Sequence, residues 1–144
     1  MNLRADSKEA LASEMRALGH AARAAARAMR EASTDTKNNA LHAAAKALRA
    51  RMKEILTANA EDLAKAKANG LSVSMLDRLA LDEKRIEAMA KGVEDVAALP
   101  DPVGRELSRW TRPNGLDISR IATPIGVIGI IYESRPNVTA DAGA

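Results

Sequence analysis

Polar chemistry in this sequence is concentrated in one short run, Glu133-Ser134-Arg135-Pro136-Asn137. Glu133 is a carboxylate suited to accepting hydrogen bonds from a ribose. The Ser134 hydroxyl donates or accepts. Arg135 carries a permanent positive charge on a planar fork that matches a phosphate or a carboxylate. Asn137 can donate to a developing oxyanion or cap a following helix. Plainer roles compete with each of these: Ser134 or Asn137 as a helix cap, and Glu133 with Arg135 as a surface ion pair.

The run follows a distinctive element. Residues 126–132 are GVIGIIY, rich in β-branched side chains, without alternation and too short to cross a bilayer. Such a run reads as a strand buried on both faces, as in a parallel sheet flanked by helices. Pro124 stands before it, where a missing N–H is tolerated. Ligands of open α/β sheets bind beyond the carboxyl ends of strands, which is where 133–137 would lie. Gly126 and Gly129 fall inside the run rather than in a strand-to-helix loop, so they are no dinucleotide fingerprint. Strand glycines more often mark close backbone approach.

Residues 6–98 are expected to be predominantly helical. A first helix should start near Asp6, with Glu9 as a capping-box-like partner. Leu11, Met15, Leu18, Ala22, Ala25 and Met29 form a narrow apolar stripe along it. Ser33 or Asp35 can cap a second helix, whose period runs from Leu41 through Leu48, Met52, Ile55, Leu56, Asn59 and Leu63 to about Ala68. Asn69-Gly70 closes it, with Gly70 suited to the left-handed cap. Ser72 opens a short helix through Leu79. Asp82 caps another, with Ile86, Met89, Val93 and Val96 on one face. Pro100 and Pro102 end the helical half. Two strands then flank Arg112-Pro113-Asn114-Gly115, a turn with a bulge, so 105–122 reads as an antiparallel hairpin. Arg109, Arg112, Asp117 and Arg120 spread along it keep at least one face wet.

Composition narrows the function classes. At 144 residues the chain can build a real core, but with one Trp, one Tyr and no Phe that core rests on aliphatic side chains. The absence of cysteine excludes disulfides, thiolate metal sites and thiol nucleophiles. His20 and His42 lie far apart in helical surroundings and read as helix residues, not ligands. No membrane-length apolar run and no signal-peptide pattern are present, so a cytoplasmic location is expected. Residues 1–60 hold eleven basic and six acidic side chains, a balance of +5; residues 61–144 hold eleven and thirteen, a balance of −2. The basic first segment admits a nucleic-acid surface, but its acids are interspersed and no aromatic platform accompanies its arginines. No nucleic-acid and no membrane partner is therefore expected. The competing function to weigh is a small basic helical binding protein with an acidic or nucleic-acid partner. It has no use for the apolar strand at 125–131.

Three stretches carry a resemblance: the run from Ala58 to Gly104, ANAEDLAKAKANGLSVSMLDRLALDEKRIEAMAKGVEDVAALPDPVG; RPNGLDISR from Arg112 to Arg120; and PIGVIGIIYESRPNVT from Pro124 to Thr139. Together they resemble the gamma-glutamyl phosphate reductase (glutamate-5-semialdehyde dehydrogenase) family of the aldehyde dehydrogenase superfamily, over about the last two thirds of the chain. YESRPN is the most specific part. The family chain is much longer, so the resemblance implies an N-terminal portion. It implies a mainly α fragment: a helical segment over 1–103, a hairpin of the oligomerisation arm over 104–122, and over 123–144 the first strand of a Rossmann-like α/β cofactor domain.

The resemblance further implies reduction of L-glutamyl 5-phosphate to L-glutamate 5-semialdehyde with NADPH, in proline biosynthesis, by a homo-oligomer. A cysteine thiolate displaces phosphate and hydride transfer to the thioester follows. That cysteine is not among these residues, so no catalytic residue is assigned and this chain alone is expected to be inactive. Glu133, Ser134 and Arg135 are the implied cofactor-binding residues, Arg135 and Asn137 the substrate-binding ones. In the wider superfamily an Asn at this turn serves the oxyanion hole. In ungapped register that position is Arg135, with Asn137 two residues on, and the role is transferred to neither.

Overall fold

The computed structural model describes residues 3–144, with side chains from Lys8 onward. It is mainly helical: six helices and one two-stranded antiparallel sheet among the described residues. These fall into two compact units, one formed by the described residues up to Ser33 and by 101–129, the other by 34–100 and 130–144.

In the first unit, α1 runs Leu3–Glu31. It begins before the expected start at Asp6, because Leu3, Arg4 and Ala5 are good helix formers that extend it N-terminally. The expected Asp6 side-chain cap lies outside the described side chains. Leu11, Met15, Leu18 and Met29 are exposed. The hairpin consists of β1, Glu106–Thr111, and β2, Asp117–Ile121. Trp110 faces Ile118 and Thr111 faces Asp117, with an irregularity between Glu106 and Ser108. Pro113 and Asn114 occupy the turn, which the Gly115 N–H closes onto the Arg112 carbonyl at 2.9 Å. Gly115 has φ +85°, and the Arg112 N–H then donates to the Leu116 carbonyl at 2.8 Å, completing the expected bulged turn. Arg109 pairs across the strands with Asp117. The hairpin is largely solvent-exposed, as its spread of charge requires.

In the second unit, α2 spans Thr34–Ala50 and α3 spans Met52–Ala68. One helix was expected here; the structure divides it at Arg51 (φ −101°, ψ 15°). No proline or glycine marks the division. It separates segments with different neighbours, since α2 packs chiefly on α5 (Glu83–Ala97) and α3 on α4 (Val73–Leu79). The end of α3 is a Schellman cap: the Leu71 N–H reaches the Ala66 carbonyl and the Gly70 N–H that of Lys67, with Gly70 at φ +74°. Ser72 and Asp82 cap α4 and α5 as their types dictate; the Asp82 carboxylate accepts from the Arg85 N–H at 2.6 Å. The last helix, α6, covers Pro136–Gly143.

The core of this unit is small. Ala45, Ala90 and Val93 are buried together, with Leu41, Leu48 and Ala140 around them, and Ile86 is fully enclosed. Alanines at the seam let α2 and α5 approach closely, and α6 closes against α5 through Ala140. Across the α2–α5 seam, Arg49 is shared between Glu87 and Glu94. Its guanidinium holds both carboxyls below the usual range, and their hydrogen bonds raise its own pKa.

The expected strand at 125–131 does not form. The segment is without ladder pairing, and Ile125, Val127, Ile128, Ile130 and Ile131 are exposed. A parallel strand needs a neighbour reached by a crossover, and none of the described residues supplies one.

Candidate functional site

The turn expected to carry chemistry lies in the second unit, and local sterics set its shape. Pro136 occupies the first position of α6, where its missing N–H costs nothing. A residue before proline is disfavoured in the helical region, and Arg135 accordingly sits at φ −139°, ψ 81° as the helix-capping residue without a side-chain cap bond. Ser134 adopts φ +53°, the one non-glycine residue with positive φ among those described. That conformation is sparsely populated for an L-residue.

The plainer roles for these side chains are not realised. Neither Ser134 nor Asn137 occupies the capping position of α6, and Glu133 and Arg135 do not pair. Glu133, Ser134 and Arg135 make no side-chain hydrogen bond or ion pair with any described residue. Asn137 is half-buried, and its amide nitrogen donates to the Asp141 carboxylate at 2.9 Å, one turn along the helix. Tyr132 and Thr139 join their hydroxyls at 2.6 Å, fixing the approach to the turn.

Arg135 and Asn137 line a cleft of about 500 Å³ whose opposite wall is built from α4 and the start of α5. Glu133 and Ser134 are not among its lining residues. That wall brings in Asp77, Arg78 and Arg85, and α6 adds Asp141, groups that the sequence did not single out. Arg85 is fully engaged. It donates to the carbonyls of Asp77 and Ala80 and to the Asp77 carboxylate. Arg78 has no such partner among the described residues.

The connection behind this wall is held by a buried polar residue. Asn59, 5% exposed, donates through its amide nitrogen to the Leu79 carbonyl at 2.8 Å and accepts from the Leu81 N–H at 2.8 Å. The helical period placed Asn59 on the packed face of its helix, an unusual place for an amide, and that misfit was the available signal. For Arg78 the signal was weaker: an exposed arginine on a seven-residue helix between two capped corners. Chemically, the cleft offers two uncommitted guanidinium groups, an amide and no unpaired acid, which suits a small anionic ligand.

Over nine tenths of its length the chain is 63% identical to a gamma-glutamyl phosphate reductase of Beijerinckia indica, and 62% identical to one of Caulobacter vibrioides. Its sequence resembles gamma-glutamyl phosphate reductases. The fold agrees. A gamma-glutamyl phosphate reductase of Thermotoga maritima matches 84% of the chain with a TM-score of 0.81 at 50% identity, and that of Saccharomyces cerevisiae matches 84% with 0.80 at 38%. The chain spans about 30% of the length of the curated relatives and of the solved reductases it matches. No family model matches it. These relatives and fold neighbours weigh against the small helical binding protein.

Proposed function

We propose that these residues form the N-terminal part of an NADPH-dependent glutamate-5-semialdehyde dehydrogenase of the aldehyde dehydrogenase superfamily. The whole protein would convert L-glutamyl 5-phosphate to L-glutamate 5-semialdehyde in proline biosynthesis, in the cytoplasm. The observation that carries this is 63% identity, across 130 residues, to a relative named gamma-glutamyl phosphate reductase. The geometry adds a reason for the turn: Arg135 has no partner of its own at a cleft of small-molecule size.

The donor set at the turn fits the ribose and nicotinamide end of NADPH. Glu133 is exposed and can accept from ribose hydroxyls, while Ser134 and Arg135 can donate. When bound, the cofactor supplies a hydride. The chain's own residues bind and orient: Arg135 neutralises the phosphoryl group, and Asn137 keeps one amide N–H for substrate beyond the one given to Asp141. The exposed hairpin, with Leu107, Trp110 and Ile121 accessible, is the surface we assign to pairing between subunits of a homo-oligomer.

Arg135→Ala in the full-length protein tests the site. NADP reduction is followed in the direction that consumes semialdehyde and phosphate. Removing one partner of a charged contact covered by ligand costs about 2–5 kcal/mol, or about thirty- to several-thousand-fold in kcat/KM. An unchanged kcat/KM for semialdehyde, phosphate and NADP alike would make Arg135 an ordinary surface residue.

A further inference from the structure

We infer that Arg78 is a specificity-determining residue that holds the α-carboxylate of the amino-acid substrate. The inference rests on the proposed reductase function and adds a second anion position to its cleft. Five charged side chains line that cleft: Asp77, Arg78, Arg85, Arg135 and Asp141. Three are committed. The Asp77 carboxylate accepts from Arg85 at 3.1 Å, and Asp141 accepts from Asn137 at 2.9 Å. Arg85 also spans the Asp77 and Ala80 carbonyls. Arg78 on α4 and Arg135 at the start of α6 remain, neither with a hydrogen bond or ion pair to any described residue.

Two unpaired forks lining one cleft of about 500 Å³ suit a short ligand that carries an anionic group at each end. L-glutamyl 5-phosphate is such a ligand. Arg135 belongs to the turn that follows the apolar segment, so the reacting phosphoryl end is assigned to it. The unreacting α-carboxylate then falls to Arg78 on α4. The Asn59 clamp holds Leu79, the residue after Arg78, and Leu81 beyond it, giving this wall a set position. A contact to a part of the substrate that does not change during reaction contributes equally to ground and transition states. Its loss raises KM and leaves kcat alone.

The experiment uses the full-length protein, assayed for NADP reduction in phosphate with two aldehydes: glutamate 5-semialdehyde, and 4-aminobutanal, which lacks only the α-carboxylate. For Arg78→Gln, with circular dichroism matching the parent, the KM for glutamate 5-semialdehyde should rise tenfold or more with kcat within about twofold. The parent's preference for it over 4-aminobutanal should collapse, and the KM for phosphate should not move. Arg78→Lys should retain part of the preference, because a charge survives without the fork. Unaltered discrimination in Arg78→Gln overturns the assignment. So does an equal loss on both aldehydes or a raised phosphate KM, either of which would place Arg78 in support of the fold or at the phosphate. Arg135→Ala, measured alongside, keeps the two claims apart: if it is silent while Arg78→Gln abolishes discrimination, the Arg135 role falls and this one stands. A parent protein with no semialdehyde-dependent activity would overturn both.

Discussion

Replacing Asn59 with alanine tests the least replaceable polar contact in the second unit. The side chain makes two hydrogen bonds of 2.8 Å, one given to Leu79 and one received from Leu81, and is 5% exposed. If water reaches the two freed backbone groups, the loss is the net value of two hydrogen bonds, about 1–3 kcal/mol. If both stay buried and unpaired, it is about 2–6 kcal/mol. Leu79 and Leu81 are themselves half-buried, so solvent has partial access and the lower range should apply. The expected loss is therefore about 1–3 kcal/mol, read from urea unfolding at 222 nm. Asn59→Asp sharpens the test: it keeps an acceptor for the Leu81 N–H but turns a carboxylate toward the Leu79 carbonyl, and should be at least as damaging. Hydrogen exchange of the Leu81 amide should be slow in the parent and fast in the alanine variant. An Asn59→Ala protein within about 0.5 kcal/mol of the parent, with Leu81 still protected, would refute the clamp.

Gly70→Ala should destabilise by about 1–2 kcal/mol, since φ is +74° and a Cβ there meets nothing within 4 Å, so the cost is conformational alone; equal melting temperatures would contradict this. Glu87 and Glu94 titrate below the usual carboxylate range because of Arg49. Their contribution is thus fully present above the ordinary carboxylate pKa and lost as pH falls through the depressed folded values. Arg49→Met should flatten the acid limb of a stability-versus-pH curve, and an unaltered limb would remove the seam from the account. The 144-residue chain by itself should give only background NADP reduction, having no cysteine to accept an acyl group; turnover by pure material would contradict the thiolate mechanism.

Legibility from sequence followed the range of the forces involved. The caps at Ser72 and Asp82, the left-handed glycine after α3 and the bulged turn at 112–115 were readable because each is decided by a few adjacent residues. The division at Arg51 was not, since the helical period continues across it and only the different neighbours of α2 and α3 reveal it. The apolar segment at 125–131 was read as a buried strand from its composition, yet a ladder depends on partners that composition does not supply. The site split along the same line. Its turn was visible as a polar run, but α4 and the start of α5 lie far away in sequence, so Arg78 and the engaged Arg85 emerge only in three dimensions.

The backbone of the 134–136 turn has little left to lose when a ligand arrives. Pro136 cannot rotate about φ, the residue before it is disfavoured in the helical region, and Ser134 sits in a left-handed well. Ordering a residue's backbone costs about 1–2 kcal/mol of conformational entropy, and for three consecutive residues that cost is met when the chain folds. A flexible loop with the same arginine would meet it at each encounter and bind more weakly. Loosening the turn, for instance with glycine in place of Pro136, should therefore weaken anion binding even though no contacting atom is removed.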